Sequence, residues 1–203
     1  MELGCDERRI LALGFCALMH DIGMLTIPEA VLNSRSLTPQ QLKLLRNHPL
    51  RSQKMVEKFG ESFAWIGKVV VQVHERYDGA GYPRGLKGDQ IHEFARIIGL
   101  ADTYDAMSHP RADRKAHITY NALSEIVDLK NKLFDPQLIK ALIHIVSIFP
   151  LGSLVKLNNN EIGRVIQTNK LHSARPLIEI LLDSQGRLLP TSRFTNLEDE
   201  PML

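Results

Sequence analysis

The sequence predicts a mainly α protein, a helical bundle over residues 1–149 followed by a small β module over 150–203. Three observations carry this. Apolar residues recur at helical spacing through most of the first part. Two of those runs are preceded by helix-start signals, Thr38-Pro39 and Asp135-Pro136. After Pro150 the pattern breaks into short β-forming runs separated by Asn, Gly and Pro.

In chain order, "RRILALGFCALMH" (8–20) reads as a helix that Gly23 stops. In "LTPQQLKLLRNH", Thr38 is the expected N-cap, Pro39 the first helical residue and Gln41 the partner that completes a capping box. His48 is expected at the end of that helix, before Pro49. A short helix follows over 50–59. The next is expected over 62–76, with Ile66, Val69, Val70 and Val73 on one face and His74 and Glu75 at its end. A glycine-rich loop runs from Asp78 to Gly88. "HEFARIIGLADTYDAMS", "TYNALSEIVDLKNK" and "DPQLIKALIHIVSIF" read as three more helices, the last with Asp135 as N-cap. The expected strands lie in "GSLVKL", "EIGRVIQ", "PLIEILLD" and "GRLLP", with a polar tail after them.

The bulk numbers exclude little. The chain has 203 residues, 44% hydrophobic and 24% charged, with a net charge of +2. That suits a globular domain with a real core and argues neither for nor against nucleic acid. Cys5 and Cys16 have no CxxC spacing, so a reducing compartment fits. The best apolar stretch, "LIKALIHIVSIF", carries Lys140 and His144 and is too short to span a bilayer. The charged "MELGCDERRI" is no signal peptide. The expected location is the cytoplasm, away from membranes.

The chemistry-bearing residues cluster at helix ends: His20, Asp21, His48, His74 and Asp102. Imidazole and carboxylate together suit zinc, iron or manganese. One Asp can bridge two cations, and a pair of metals suits phosphodiester cleavage. His92, His109, His117, His144 and His172 read instead as caps or surface residues.

"HDIG", "LTPQQLKLLRNHP", "HERYDGAGYPRGLKGDQI" and "ARIIGLADTYDAM" occur in this order across about residues 10–147. Together they resemble the HD-GYP family, bacterial cyclic di-GMP phosphodiesterases of the HD phosphohydrolase superfamily. The resemblance implies an HD-type helical bundle holding divalent metals, two of them, iron or manganese. It implies that His20 and Asp21 are ligands and catalytic, with Asp21 bridging. His48 and His74 would serve the second metal, and Asp102 would close the shell of the first. Tyr82, Gly81, Arg111 and Arg114 would meet the substrate, and Gly79 and Gly81 would let the loop turn. The trailing β residues also resemble a segment that follows this domain in family members.

Four features depart from the family's pattern. Met24 stands where a lysine is usual. Val73 stands where a second histidine is usual. None of the 19 residues before His20 is the further upstream histidine, as if the N-terminal helix were absent. "RADR" (111–114) keeps both arginines of the usual RPYR but not the Pro-Tyr. The implied function is metal-dependent hydrolysis of cyclic di-GMP to linear pGpG and/or GMP. The alternative is a degenerate, weak or inactive domain that binds the nucleotide or docks a protein. The implied partners are cyclic di-GMP and, through the GYP loop, a diguanylate cyclase or another signalling protein. No nucleic-acid polymer and no membrane is expected.

Overall fold

A computed structural model describes residues 4–34, 36–108, 119–129, 132–146, 148–169, 171–172 and 174–199. The chain divides into two compact units, one of Met1–His117 with Ser124–Ile139, the other of Ile118–Leu123 with Lys140–Leu203.

Helix α1 spans Glu7–Met19, capped by the Asp6 carboxylate, which accepts from the Arg9 amide at 2.8 Å. It stops at His20, earlier than Gly23, and the chain tightens into a 3-10 turn over Ile22–Thr26. Gly23 therefore does not end a helix. It is the point where this turn meets its neighbour. The run Glu7–Thr26 is long and apolar enough, by length and composition, to cross a membrane. Only its first 13 residues are α-helical. At ~1.5 Å per residue these reach about 20 Å, short of a ~30 Å hydrocarbon core. Leu11, Phe15 and Leu18 on α1 are exposed.

After the single turn α2 (Glu29–Leu32), α3 covers Pro39–Arg46. The Thr38–Gln41 capping box forms as expected. His48 is not the end of α3. It opens α4 (His48–Glu57), because the chain breaks at Asn47 and Pro49 is tolerated in a first turn. Helix α5 is Ala64–Val70, shorter than expected. Beyond it the Gln72 and Val73 amides bond three residues back, to Val69 and Val70, so Val73 and His74 sit on tight turns rather than on helix. Helix α6 runs from Glu93 to Ser108, α7 from Thr119 to Asp128 and α8 from Pro136 to Val146. The Asp135 carboxylate accepts from the Gln137 amide at 2.9 Å, as its capping position requires.

The core of the first unit joins Cys16 of α1, Val56 of α4, Ile66, Val69 and Val70 of α5, and Phe94, Ala95 and Ile98 of α6. Val73 is in it too, 1% exposed, so the side chain at that position serves packing.

In the second unit β1 (Leu154–Lys156), β2 (Ile162–Gln167), β3 (Leu177–Leu182) and β4 (Leu188–Asn196) form an antiparallel meander in that order. Gly163 pairs with Ile180, and a Cβ there would lie 2.2 Å from the Ile178 side chain. Strand β4 extends through "TSRFTN", which reads as polar tail. Most of that strand is exposed, so polar side chains are compatible with it.

Candidate metal centre

Four residues from three segments meet at one point. His20 closes α1, Asp21 follows it, His48 opens α4, and His74 ends the turns after α5. One ligand atom from each of Asp21, His48 and His74 lies within 4.8 Å of the other two. Asp21 Oδ1 is 3.1 Å from His48 Nε2, 3.3 Å from His20 Nε2 and 3.9 Å from His74 Nε2. The Nε2 atoms of His48 and His74 are 3.0 Å apart.

Their tautomers follow from the backbone. His20 Nδ1 is 2.7 Å from the Ala17 carbonyl, and His48 Nδ1 is 2.7 Å from the Leu45 carbonyl. A carbonyl oxygen only accepts, so both Nδ1 atoms donate. In the neutral rings each Nε2 is then a lone pair aimed at the cluster. This is how ligating histidines are usually oriented, with the far nitrogen tied off. His20 Nε2 is buried and lacks a hydrogen bond of acceptable geometry, despite its 3.3 Å approach to Asp21. A buried lone pair facing a carboxylate needs a proton or a cation between them. The donor set, three imidazoles and a carboxylate, fits a divalent transition metal.

The electrostatics agree. Partial burial opposes ionisation of Asp21, but the adjoining rings of His48, His74 and His20 outweigh it and hold the carboxyl well below its usual range. Burial first, against the opposing pull of Asp21, lowers His74 below an ordinary imidazole, favouring its neutral, ligand-competent form.

The supports around the cluster are local. Ser52, one turn beyond His48 on α4, accepts from the Gly23 amide at 2.9 Å and donates to the His20 carbonyl at 2.7 Å. A Cβ on Gly23 would lie 2.4 Å from the His48 carbonyl, so glycine alone lets the His-Asp turn rest on α4. Glu75, 4% exposed, accepts from the Arg84 amide at 2.7 Å and the Leu86 amide at 2.9 Å, pinning the far side of the GYP loop. Gly79 takes φ +87°, which favours glycine. Gly81 is needed for a different reason, since a Cβ would lie 2.3 Å from the Arg76 amide nitrogen. So placed, the loop stacks the Tyr82 ring on His74, with centroids 5.1 Å apart and planes 11° apart. Burial raises the Tyr82 phenol, so it stays protonated at neutral pH.

The structure thus brings His20, Asp21, His48, His74 and Tyr82 together. Asp102 lies in the middle of α6 rather than at a helix end, half-buried, within electrostatic reach of His74 and Tyr82 but not in the close group. Arg111 and Arg114 lie outside the described residues. Met24 is half-buried in the 3-10 turn. Ser52, Glu75 and Arg46 are not singled out by the sequence reading. The i, i+4 spacing of Ser52 from His48, and a carboxylate entering a loop full of free amides, are the signals that point to two of them.

Three histidines and an aspartate brought to one point, ahead of a small antiparallel sheet in sequence, make a candidate metal centre in a mainly helical protein. The chain belongs to the HD domain family: residues 1–138 match that family, and residues 154–203 match the KOW domain associated with HD domain. It is 31% identical over 188 residues to the cyclic di-GMP phosphodiesterase PA4108 of Pseudomonas aeruginosa, covering 92% of this chain and 45% of that protein. It is 27% identical over 201 residues to the cyclic di-GMP phosphodiesterase PdeB of Borreliella burgdorferi, covering 98% and 52%. The fold is shared with Bd1817, a HDG"Y"P protein from Bdellovibrio bacteriovorus, at TM-score 0.55 and 23% identity over 70% of this chain and 45% of that one. The chain spans about half the length of these curated relatives.

Proposed function

We propose that this chain is a metal-dependent phosphodiesterase that hydrolyses cyclic di-GMP to linear pGpG and/or GMP. The observation that carries the reading is the convergence of two Nε2 lone pairs, tied off at Nδ1, and the His74 ring on the Asp21 carboxylate. The names of the relatives support the substrate. His20, Asp21, His48 and His74 would hold the metals with Asp102, two ions in all, iron or manganese. When bound, such ions supply Lewis acidity to a phosphate ester and acidify water. The protein's own part is orientation. Ala17 and Leu45 fix the rings, Ser52 fixes the turn, and Glu75 fixes the loop that presents Tyr82 and Gly81 to substrate, alongside Arg111 and Arg114. The helical domain over 1–149, the β module over 150–203, a cytoplasmic location away from membranes and nucleic-acid polymers, and a docking partner such as a diguanylate cyclase belong to the same proposal.

A second reading, a docking or nucleotide-binding domain without turnover, is favoured by one observation. Val73 is locked in the core and Met24 offers no charge, so neither position contributes to the centre. Turnover separates the two. The chain is loaded anaerobically with iron or manganese and incubated with cyclic di-GMP, and products are separated by liquid chromatography. Linear dinucleotide from the native chain but not from His20→Ala establishes the enzyme. No product from a folded, metal-loaded chain establishes the docking reading.

A further inference from the structure

We propose that Arg46, with the Tyr82 hydroxyl, forms an anion-binding subsite at the mouth of the metal centre and contacts a phosphate of the substrate. The assignment rests on the phosphodiesterase reading only for the identity of the phosphate ester. Arg46 ends α3, two residues before His48. Its guanidinium carbon lies 5.6 Å from the centroid of the Tyr82 ring. Tyr82 is itself stacked on His74, whose Nε2 approaches Asp21. A guanidinium, a phenol and an imidazole therefore run in series from solvent to the metal cluster.

The charge of Arg46 is unspent. The residue is exposed, and its guanidinium has no carboxylate partner and no hydrogen bond among the described residues. Arg9, Arg96, Arg164, Arg187 and Arg193, by contrast, are each paired with an acid. The Tyr82 hydroxyl also lacks a protein acceptor among the described residues. A positive side chain in the last turn of a helix is favoured by the dipole alone. The dipole does not explain its placement over Tyr82, the ring stacked on His74. Lying beside the ring orders the guanidinium and leaves its N–H fork free. That fork matches two oxygens of a phosphate, which a lysine's point charge does not.

The test compares native, Arg46→Ala and Arg46→Lys chains, each loaded anaerobically with manganese and assayed for metal content. Inorganic phosphate is titrated calorimetrically, and cyclic di-GMP hydrolysis is followed over a range of concentrations. In Arg46→Ala, phosphate affinity falls by about tenfold, as loss of a charge-assisted hydrogen-bonding group predicts. The kinetic loss falls on KM rather than kcat, manganese content is unchanged, and Arg46→Lys recovers part of the binding. Phosphate affinity within about twofold of native in Arg46→Ala, at equal manganese content, overturns the assignment. So does a metal-loaded native chain that binds neither phosphate nor nucleotide. A native chain that binds phosphate through Arg46 but leaves cyclic di-GMP intact refutes the phosphodiesterase reading and upholds the subsite.

Discussion

Glu75 illustrates how a single side chain can hold a loop without touching the chemistry. Its two carboxylate oxygens take the Arg84 and Leu86 amides, and it is almost wholly buried. Glu75→Ala leaves two amides without acceptors, and destabilises the protein by about 2–4 kcal/mol. Urea denaturation reads that loss, and hydrogen exchange at Arg84 and Leu86 locates it. Glu75→Gln, which keeps one acceptor oxygen, loses less. Amides at 84 and 86 that stay protected in Glu75→Ala would show that the loop is held by other means. At this scale the clustering of His20, Asp21, His48 and His74 was legible because imidazole and carboxylate near helix ends have few structural uses together. Glu75 was not, because a glutamate after a histidine is ordinarily a surface residue. Its role exists only once the loop folds back over it, nine and eleven residues later. Gly81 was legible as a loop glycine, and what requires it is the close approach of the Arg76 amide.

His20 and His48 stand at helix ends, and the ends were the least legible part of the elements. Local signals set some of them. The Thr38 capping box and the Asp135 cap are chemical patterns, and both form where expected. Other ends are set by packing. Helix α5 stops at Val70 although the apolar spacing continues to Val73, because the chain tightens to bring His74 toward His48 while keeping Val73 in the core. Periodicity alone cannot distinguish a last helical turn from such a turn. Strand β4 was cut short for the opposite reason, since an exposed strand has no apolar alternation to read. Helix α1 offers a test of its own packing. Cys16 faces the core at 0% exposure, and burial pushes its thiol up to about 11. An ordinary thiol titrates near ~8.5. Its thiolate population at pH 7 is therefore far smaller in the folded chain. Stability falls as pH rises from ~8.5 toward the folded value, since the unfolded thiol ionises first. A thiol reagent at pH 7 is expected to modify Cys16 only after denaturant is added. Equal rates in native and unfolded protein, followed by peptide mapping, would contradict the placement of α1.

For the molecule as a whole, the fold class was the easiest feature to read. The change near Pro150 from helical spacing to short β-forming runs broken by Asn, Gly and Pro survives uncertainty about individual ends. The remaining question is what the cluster of His20, Asp21, His48 and His74 is for. These four side chains converge only in the folded chain, so metal binding is coupled to folding. A ligand present at ~100 times its dissociation constant adds about 2.7 kcal/mol of stability. The most direct test is the metal content of the folded chain after anaerobic equilibrium dialysis against manganese or iron, compared with Asp21→Asn. The account predicts at least one tightly held metal per native chain, lost in the variant while the fold is kept. A folded native chain that retains no metal would contradict it.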